Sequence, residues 1–403
     1  MPTIYRWIAI QTSRRMKIKP EPQNFFILIA LIGGLAIFSS TLSKTPALPL
    51  FAHALNASPA EIGWIVMAST IPGVLISYPA GALSDHLGQR RLLLASLVVF
   101  STAPLLYLLI ETPWQLMAVR FYHGFATAIF GTVASAAIAA RYTADRAAKL
   151  STYSSITIVG RSIAPFLGGF LISLASFDAV YIACAISGVL ALVAGLLLRD
   201  SEPVPTVKRE RPHFWASLTT VLRDRGIMFV SLIEAAQYLV FGALEAFIAL
   251  YAASLGIPAW QIGVILGVQL VSIVFAKPLM GRVSDRVGRK QVIIPGLLVG
   301  AASVALLPLA SSFIVLAGLS LLFGIGFAAV TSSTAALVAD LTSNGRYGSS
   351  MGVLRTVMDV GQSIGPVLTG WMIGMAGYGS AFTLLAAILV FAALLLGWRF
   401  KQT

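Results

Sequence analysis

Apolar residues in this chain come in long blocks, such as Phe25 to Phe38 and Leu92 to Leu109, and the polar and charged positions gather between them. Extended by Gly, Ser and Thr, such blocks reach the ~20 residues that a helix needs to cross ~30 Å of hydrocarbon. Breaks at Pro, Gly and charge divide the chain into twelve predicted spans. The first six lie near 24–52, 59–82, 92–111, 114–140, 147–174 and 178–198. The second six lie near 227–252, 259–281, 291–310, 313–339, 347–374 and 379–398. The expected fold is all-α and membrane-embedded: twelve transmembrane helices in two six-helix bundles, 24–198 and 227–398. An N-terminal tail (1–23), a linker (199–226) and a short C-terminal tail (399–403) complete the chain. The linker carries Pro203, Pro205 and Pro212 and reads as flexible, with a surface helix near Phe214 to Leu222.

Sorting Lys and Arg by loop orients these spans. One side receives Arg6, Arg14, Arg15, Lys17 and Lys19, then Arg90 and Arg91, Arg141, Arg146 and Lys149. The same side takes the basic linker, then Arg282, Arg286, Arg289, Lys290, Arg346, Arg399 and Lys401. The loops of the other side receive none. Short basic loops stay cytoplasmic, so both termini are expected inside and the span count is even. The basic tail leads directly into a full-length span, which predicts no cleavable signal peptide. Met16 begins a second plausible start, so residues 1–15 read as a mobile tail or a mis-assigned beginning.

Composition adds limits. With 58% hydrophobic and 11% charged residues, the chain could not cover a soluble surface. The net charge of +13 is explained by orientation rather than by nucleic-acid binding. The single cysteine, Cys184, excludes an intrachain disulfide and a cysteine-based metal cluster, and reads as a small packing residue. The four histidines are scattered and no nucleophile or ligand motif appears, so neither an enzyme nor a cofactor is expected.

An internal repeat is the strongest feature. Gly81 to Arg91 (GALSDHLGQRR) recurs as Gly281 to Lys290 (GRVSDRVGRK), offset by 200. Gly160 to Gly169 (GRSIAPFLGG) recurs as Gly361 to Gly370 (GQSIGPVLTG), offset by 201. Such halves usually enclose a midplane site and rock around it. In the loop motif, Gly81 and Gly281 would let helix backbones approach closely. Asp85 and Asp285 would pair with basic neighbours or cap a helix end. Gly88 and Gly288 would permit the turn, the trailing pairs Arg90–Arg91 and Arg289–Lys290 would anchor it inside, and Arg286 is a basic neighbour of Asp285. The competing reading is a topological anchor with no gating role. In the second motif Gly160, Pro165, Gly169, Gly361, Gly365 and Pro366 give a thin, kinkable helix, or tight packing alone.

On these residues the chain resembles the major facilitator superfamily over nearly its whole length. The loop motifs look like that superfamily's cytoplasmic signature, whose Asp and basic residues latch the outward-open state. Arg120 to Gly124 (RFYHG) is similar to the span-four motif of drug/proton antiporters, in which the arginine is tied to proton coupling. Pro46 to Pro49 (PALP) resembles their span-one motif, and Gly160 to Gly169 their span-five motif. Two departures stand out: Ala164 replaces a usual glycine, and Arg161 brings a charge into the span-five motif.

Eight charges fall inside predicted spans: Lys44, Arg120, Arg161, Lys277, Arg355, Glu234, Glu245 and Asp359. Each costs at least ~2.5–3.5 kcal/mol near the bilayer centre, so each should pair or line a cavity. Their repeat partners are Leu244, Ser320, Gln362, Ser77, Ser154, Gly34, Thr45 and Ile158, none of them charged. Shared packing should repeat between halves, whereas chemistry of one site need not. Glu234 and Glu245 are eleven residues apart on one helix, three turns plus about 20°, hence on one face and about 16 Å apart. Glu245 could alternatively sit solvated near the outer surface. A buried carboxylate such as Glu234 suits reversible proton binding. Arg355 and Asp359, four apart, can pair. Lys277 could snorkel inward, Glu234 is a possible cross-half partner for Arg120, and Lys44 could face the cavity or the outer mouth. Trp64, Tyr107, Trp114, Trp260 and Trp371 read as interfacial belt residues.

The expectation is proton-coupled export of a small molecule, drug-like or metabolite, by a monomer in the bacterial inner membrane. The nearest alternative is proton-linked uptake or exchange of an anionic metabolite, credible from five intramembrane cations against three anions. A transport-dead sensor should have lost the loop motifs, and both are intact.

Overall fold

The computed structural model describes residues 23–73, 75–76, 87–142, 145–198, 224–342 and 347–399, and every regular element among them is a helix. In chain order these are α1 (Gln23–Leu42), α2 (Ala47–Ala54), α3 (Pro59–Ala68), α4 (Gln89–Tyr107), α5 (Pro113–Arg141), α6 (Arg146–Leu174) and α7 (Phe177–Leu196). The second half comprises α8 (Arg225–Ser254), α9 (Ala259–Val287), α10 (Arg289–Leu306), α11 (Phe313–Leu341) and α12 (Tyr347–Arg399). Ten stretches among the described residues are long and apolar enough to cross a membrane. The last of these is two helices, parted at Gly377 (φ 78°, ψ 175°), within the predicted gap at 374–379. The second predicted span is described only in its first part, which includes α3. The tail, most of the linker with its proposed surface helix, and Gly81 and Asp85 lie outside the described residues. Large apolar side chains such as Phe275, Leu309 and Ile314 are more than three-quarters exposed, the expected state of a surface solvated by lipid.

The predicted first span is not one rod. Pro46 has no N–H to give the carbonyl one turn back and its ring crowds that carbonyl. The helix therefore stops at Leu42, turns through residues 43–46 and resumes as α2. Across the break the Thr45 N–H donates to the Thr41 carbonyl at 2.8 Å, and the Leu48 N–H to the Lys44 carbonyl at 3.2 Å. Lys44 thus sits on irregular backbone at membrane depth.

The repeat is visible in backbone geometry. Gly88 (φ 87°, ψ 140°) and Gly288 (φ 104°, ψ 149°) open α4 and α10 in the same left-handed turn, which L side chains rarely adopt. The close-approach role expected of Gly281 is not met: a methyl group there would find nothing within 4 Å. In the second copy of the loop motif, Arg289 holds both acids, donating to Asp285 one turn before it and to Asp340 at the end of α11 at 2.9 Å. Arg90 donates to the Leu196 carbonyl at 3.2 Å.

Two regimes of packing divide the molecule along the membrane normal. Towards the basic loops each half keeps its own core: Phe25, Ile29, Leu93, Leu97, Ala137 and Tyr153 in the first half, and Ile227, Val230, Val338, Val353 and Leu354 in the second. Towards the uncharged loops one core is shared, with Leu48, Ile62, Ile65 and Tyr181 packed with Ala246, Phe247, Leu250 and Ile373. The contacts that make this closure repeat when the halves are exchanged. Gly63 meets the Pro366 carbonyl, and Gly263, 200 residues on, meets the Pro165 carbonyl. Gly370 meets the Pro59 carbonyl, and Gly169 that of Ala259. Hydrogen bonds from Ser363 to Thr70 (2.8 Å) and from the Trp260 N–H to Ser173 (2.8 Å) cross the same interface. Exposure changes along the helices accordingly: α9 is largely buried from Ile262 to Gln269 and largely exposed from Lys277 to Val287. The two halves therefore meet at the uncharged-loop end and diverge towards the basic loops around a central chamber.

Within each half, Gly160 and Gly361 play matched roles, Gly160 against the Gly34 carbonyl of α1 and Gly361 against the Ala235 carbonyl of α8. Gly365 seats on Leu239 in the same way, and Ala164, at the position where the resemblance expects glycine, is fully buried beside Leu42 and Ala47. Cys184 is a buried free thiol in that cluster, as expected of a packing residue.

Candidate substrate and proton site

At the top of the chamber, on the closed side, Lys44 and Glu245 form an ion pair of 2.7 Å between the halves. Glu245 is 7% exposed, which removes the alternative of a solvated outer-surface carboxylate. Thr45 donates to the other carboxylate oxygen at 3.4 Å. Thr45 and Glu245 are repeat partners, and a residue that touches its own partner must lie at the pseudo-two-fold axis. The broken helix thus delivers Lys44 to the pivot between the halves.

Beside this pair lies Arg120, 4% exposed on α5. It donates to Ser69 Oγ at 2.7 Å and to the Tyr107 hydroxyl at 3.4 Å, and its Nε has no partner among the described residues. Glu234 is not its counter-ion; Arg120 acts electrostatically on Lys44 and Glu245 instead. Tyr107 is likewise not a belt residue. It is 1% exposed, stacks on Tyr181 at 4.4 Å between ring centroids, and shares a 3.3 Å hydrogen bond with Nδ1 of buried His123. Trp64, Trp114, Trp260 and Trp371, by contrast, are 45–72% exposed, as belt residues should be.

Deeper towards the basic loops, Glu234 of α8 is 4% exposed and bonds Thr334 Oγ1 of α11 at 2.6 Å. The same Thr334 oxygen is 2.9 Å from the Val330 carbonyl. A hydroxyl carries one proton, so it cannot donate to both at once. Either Thr334 donates to a charged carboxylate, or a protonated Glu234 donates to Thr334, which then turns its proton to Val330. One arrangement of heavy atoms thus accommodates both protonation states. Among the described residues Glu234 makes no ion pair within 4.0 Å, although Lys277 acts on it electrostatically.

The remaining charges face the same space. Lys277 of α9 is exposed and within electrostatic reach of Glu234, Arg161 and Arg355, so it lines the chamber rather than snorkelling away. Arg161 of α6 is exposed too, and its charge reaches Lys44, Glu245, Lys277 and Tyr238. The pair expected between Arg355 and Asp359 does not close to 4.0 Å; Asp359 feels Arg355 only at longer range, and both act on Tyr238. Helical spacing placed these two on one face, but rotamers decide contact. Sequence reasoning missed Thr334, Tyr238, Ser69, His123 and Tyr181. Hydroxyl and aromatic residues are too common in apolar helices for their partners, up to 100 positions away, to be read from spacing.

A family model described as the Major Facilitator Superfamily matches residues 29–268 and 230–403. An MFS-type transporter of Methanocaldococcus jannaschii is 23% identical over 344 residues, 84% of this chain and 88% of that protein. The multidrug resistance protein MdtG of Proteus mirabilis is 24% identical over 88% of this chain and 90% of its own. A staphyloferrin B transporter of Staphylococcus aureus is 26% identical over 79% of each. Among solved structures, a nucleoside transporter, NupG, superposes with a TM-score of 0.79 at 14% identity, covering 94% of this chain and 99% of its own. A bacterial homologue of the lysosomal transporter Spinster, inward-facing and occupied, gives 0.79 at 17% identity over 96% and 98%.

Proposed function

Since this chain belongs to the Major Facilitator Superfamily of membrane transporters, we propose that it exports a small molecule by alternating access in exchange for protons. The basic loops then face the cytoplasm of a bacterial inner membrane, both termini lie inside, and the geometry described above is the inward-open state of a monomer. Glu234 is the proton site. The observation that carries this assignment is the Glu234–Thr334–Val330 arrangement, which takes a proton up or gives it away without rebuilding its surroundings. Arg120 and Asp359 modulate it, and Lys44, Glu245 and Arg161 connect it to the pivot. Exchange follows from mutual exclusion, because a carrier whose two ligands each favour a different protonation state of one carboxylate releases one when it loads the other. The multidrug resistance relative MdtG favours outward movement.

Proteoliposomes test this directly. Substrate-dependent proton movement should be seen with the wild type. Glu234→Gln should abolish proton-linked transport while leaving substrate counterflow. Coupling of wild-type strength in that variant would remove Glu234 from the mechanism. A rate that rises when the proton gradient drives protons together with substrate, rather than against it, would assign uptake instead of export.

A further inference from the structure

The charges of the chamber are unbalanced, and their placement says for what. Five cations (Lys44, Arg120, Arg161, Lys277 and Arg355) share the interior with three carboxylates (Glu234, Glu245 and Asp359), leaving an excess of two positive charges. Only Lys44 has its counter-ion within 4.0 Å among the described residues. Cations at such depth are costly unless neutralised or wetted.

Two of them reach into the same space from opposite halves, staggered along the helices that carry them. On α6 the face that closes the outer end holds Pro165 and Gly169, which meet α9 at Gly263 and Ala259. Arg161 lies one turn before Pro165 on that face, about 6 Å further towards the basic loops. On α9 the matching face holds Ala259 and Gly263. Lys277 follows Ala259 by 18 residues, five full turns, and so returns to the same face, about 21 Å beyond Gly263 towards the basic loops. The two helices separate beyond the contact of Phe166 with Gly267. Where they part, the faces that had been packed together present Arg161 from one half and Lys277 from the other. Both are exposed, and their charges feel one another. Close by, Tyr238 is half-buried with its hydroxyl free of hydrogen bonds among the described residues, and its ring is backed by Phe327 (4.9 Å) and Phe241 (6.1 Å). Arg161 and Lys277 have Gln362 and Ser77 as repeat partners, so this constellation occurs once.

We propose that the chamber binds an amphipathic organic anion, its acidic group held between Arg161 and Lys277 and its apolar body laid against Tyr238. This deepens the transporter reading above and rests on it. It also gives the substrate a mechanical role. Bringing the halves together at the basic-loop end drives two like charges towards each other, and an anion between them turns that repulsion into attraction. The empty carrier resists closure, and the loaded one does not.

Carboxyfluorescein and rhodamine 6G share a xanthene body but carry opposite charge, and so serve as probes. With the purified full-length protein, fluorescence anisotropy should show carboxyfluorescein binding more tightly than rhodamine 6G. Arg161→Gln and Lys277→Gln should each weaken the anion about tenfold or more. Arg161→Lys should stay within about threefold of wild type, and Arg225→Gln at the exposed start of α8 should change nothing. Wild-type protein supplies an arm free of variants: sodium sulfate should displace carboxyfluorescein more effectively than tetraethylammonium chloride at equal ionic strength. Preference for the cation, unchanged anion affinity in both glutamine variants, or equal displacement by the two salts would overturn the proposal. The binding measurements need no proton gradient and no change at Glu234, whereas proton coupling is read from Glu234→Gln in proteoliposomes. Failure of one therefore does not imply failure of the other.

Discussion

Replacing Glu245 by glutamine should open the carrier to the outside. The Lys44–Glu245 pair bridges the halves only while the uncharged-loop end is closed, and both partners are largely withdrawn from solvent. Removing one member of such a pair costs about 3–5 kcal/mol, because the remaining charge stays buried without compensation. When the outer end opens, Lys44 regains water and most of that cost disappears. The mutation therefore acts on the difference between the two states. At 1.4 kcal/mol per decade the ratio of outward-open to inward-open carrier should rise roughly 140- to 3,700-fold. Ala246, 1% exposed in the shared core, reports the change. In a Cys184→Ala background, Ala246→Cys should be inert to an impermeant maleimide added outside and become reactive when Glu245→Gln is added. The double substitution Lys44→Met with Glu245→Leu should restore protection, since well-packed apolar replacements of a buried pair are often neutral or stabilising. Labelling unchanged by Glu245→Gln, or undiminished in the double variant, would refute the argument that this pair holds the outer end shut.

Other perturbations follow from the same geometry. Gly169→Leu places a side chain against the Ala259 carbonyl and Gly263, so outer closure should fail and transport should fall at least tenfold while the protein still inserts; both are readable by uptake assay and cell fractionation. Thr334→Val removes the only hydrogen-bond partner that Glu234 has among the described residues and should reduce proton-linked transport more than counterflow, measured in the same proteoliposomes. Tyr107→Phe deprives both Arg120 and His123 of a partner and should lower thermal stability by about 1–3 kcal/mol, seen as a reduced melting temperature in detergent. Gly288→Ala forces a side chain into φ 104° and should cost about 1–3 kcal/mol, whereas alanine at nearby Gly281 should cost far less.

Much of the architecture could be read before any coordinates. Long apolar blocks, the one-sided distribution of Lys and Arg, and two motifs repeated at a spacing of 200 imply duplicated helical bundles, because bilayer thickness and backbone satisfaction leave few other solutions. The eight intramembrane charges could also be picked out from hydropathy, and the structure joins two of them, Lys44 and Glu245, in an ion pair. The pairing among them was less legible. Glu245 found Lys44 because Pro46 breaks a helix that hydropathy portrays as continuous, and spacing along an assumed rod cannot reveal that displacement. Arg120 settled for hydroxyl groups, and Arg355 did not close on Asp359, because rotamers and neighbouring helices decide which of several reachable partners is met. Thr334 had no signal at all, since its importance lies in standing opposite a carboxylate one hundred residues earlier.

The outer closure is written twice, with Gly63 on Pro366 answered by Gly263 on Pro165, and Gly370 on Pro59 answered by Gly169 on Ala259. Tolerance to substitution should therefore carry a shadow of itself. A full mutational survey, folded over at position 200 and laid against its own second half, should show matching intolerance at these small residues. The resemblance should vanish at Arg161, Glu234 and Lys277. Positions where the two copies have stopped agreeing would then trace out the cargo's path with no ligand in hand.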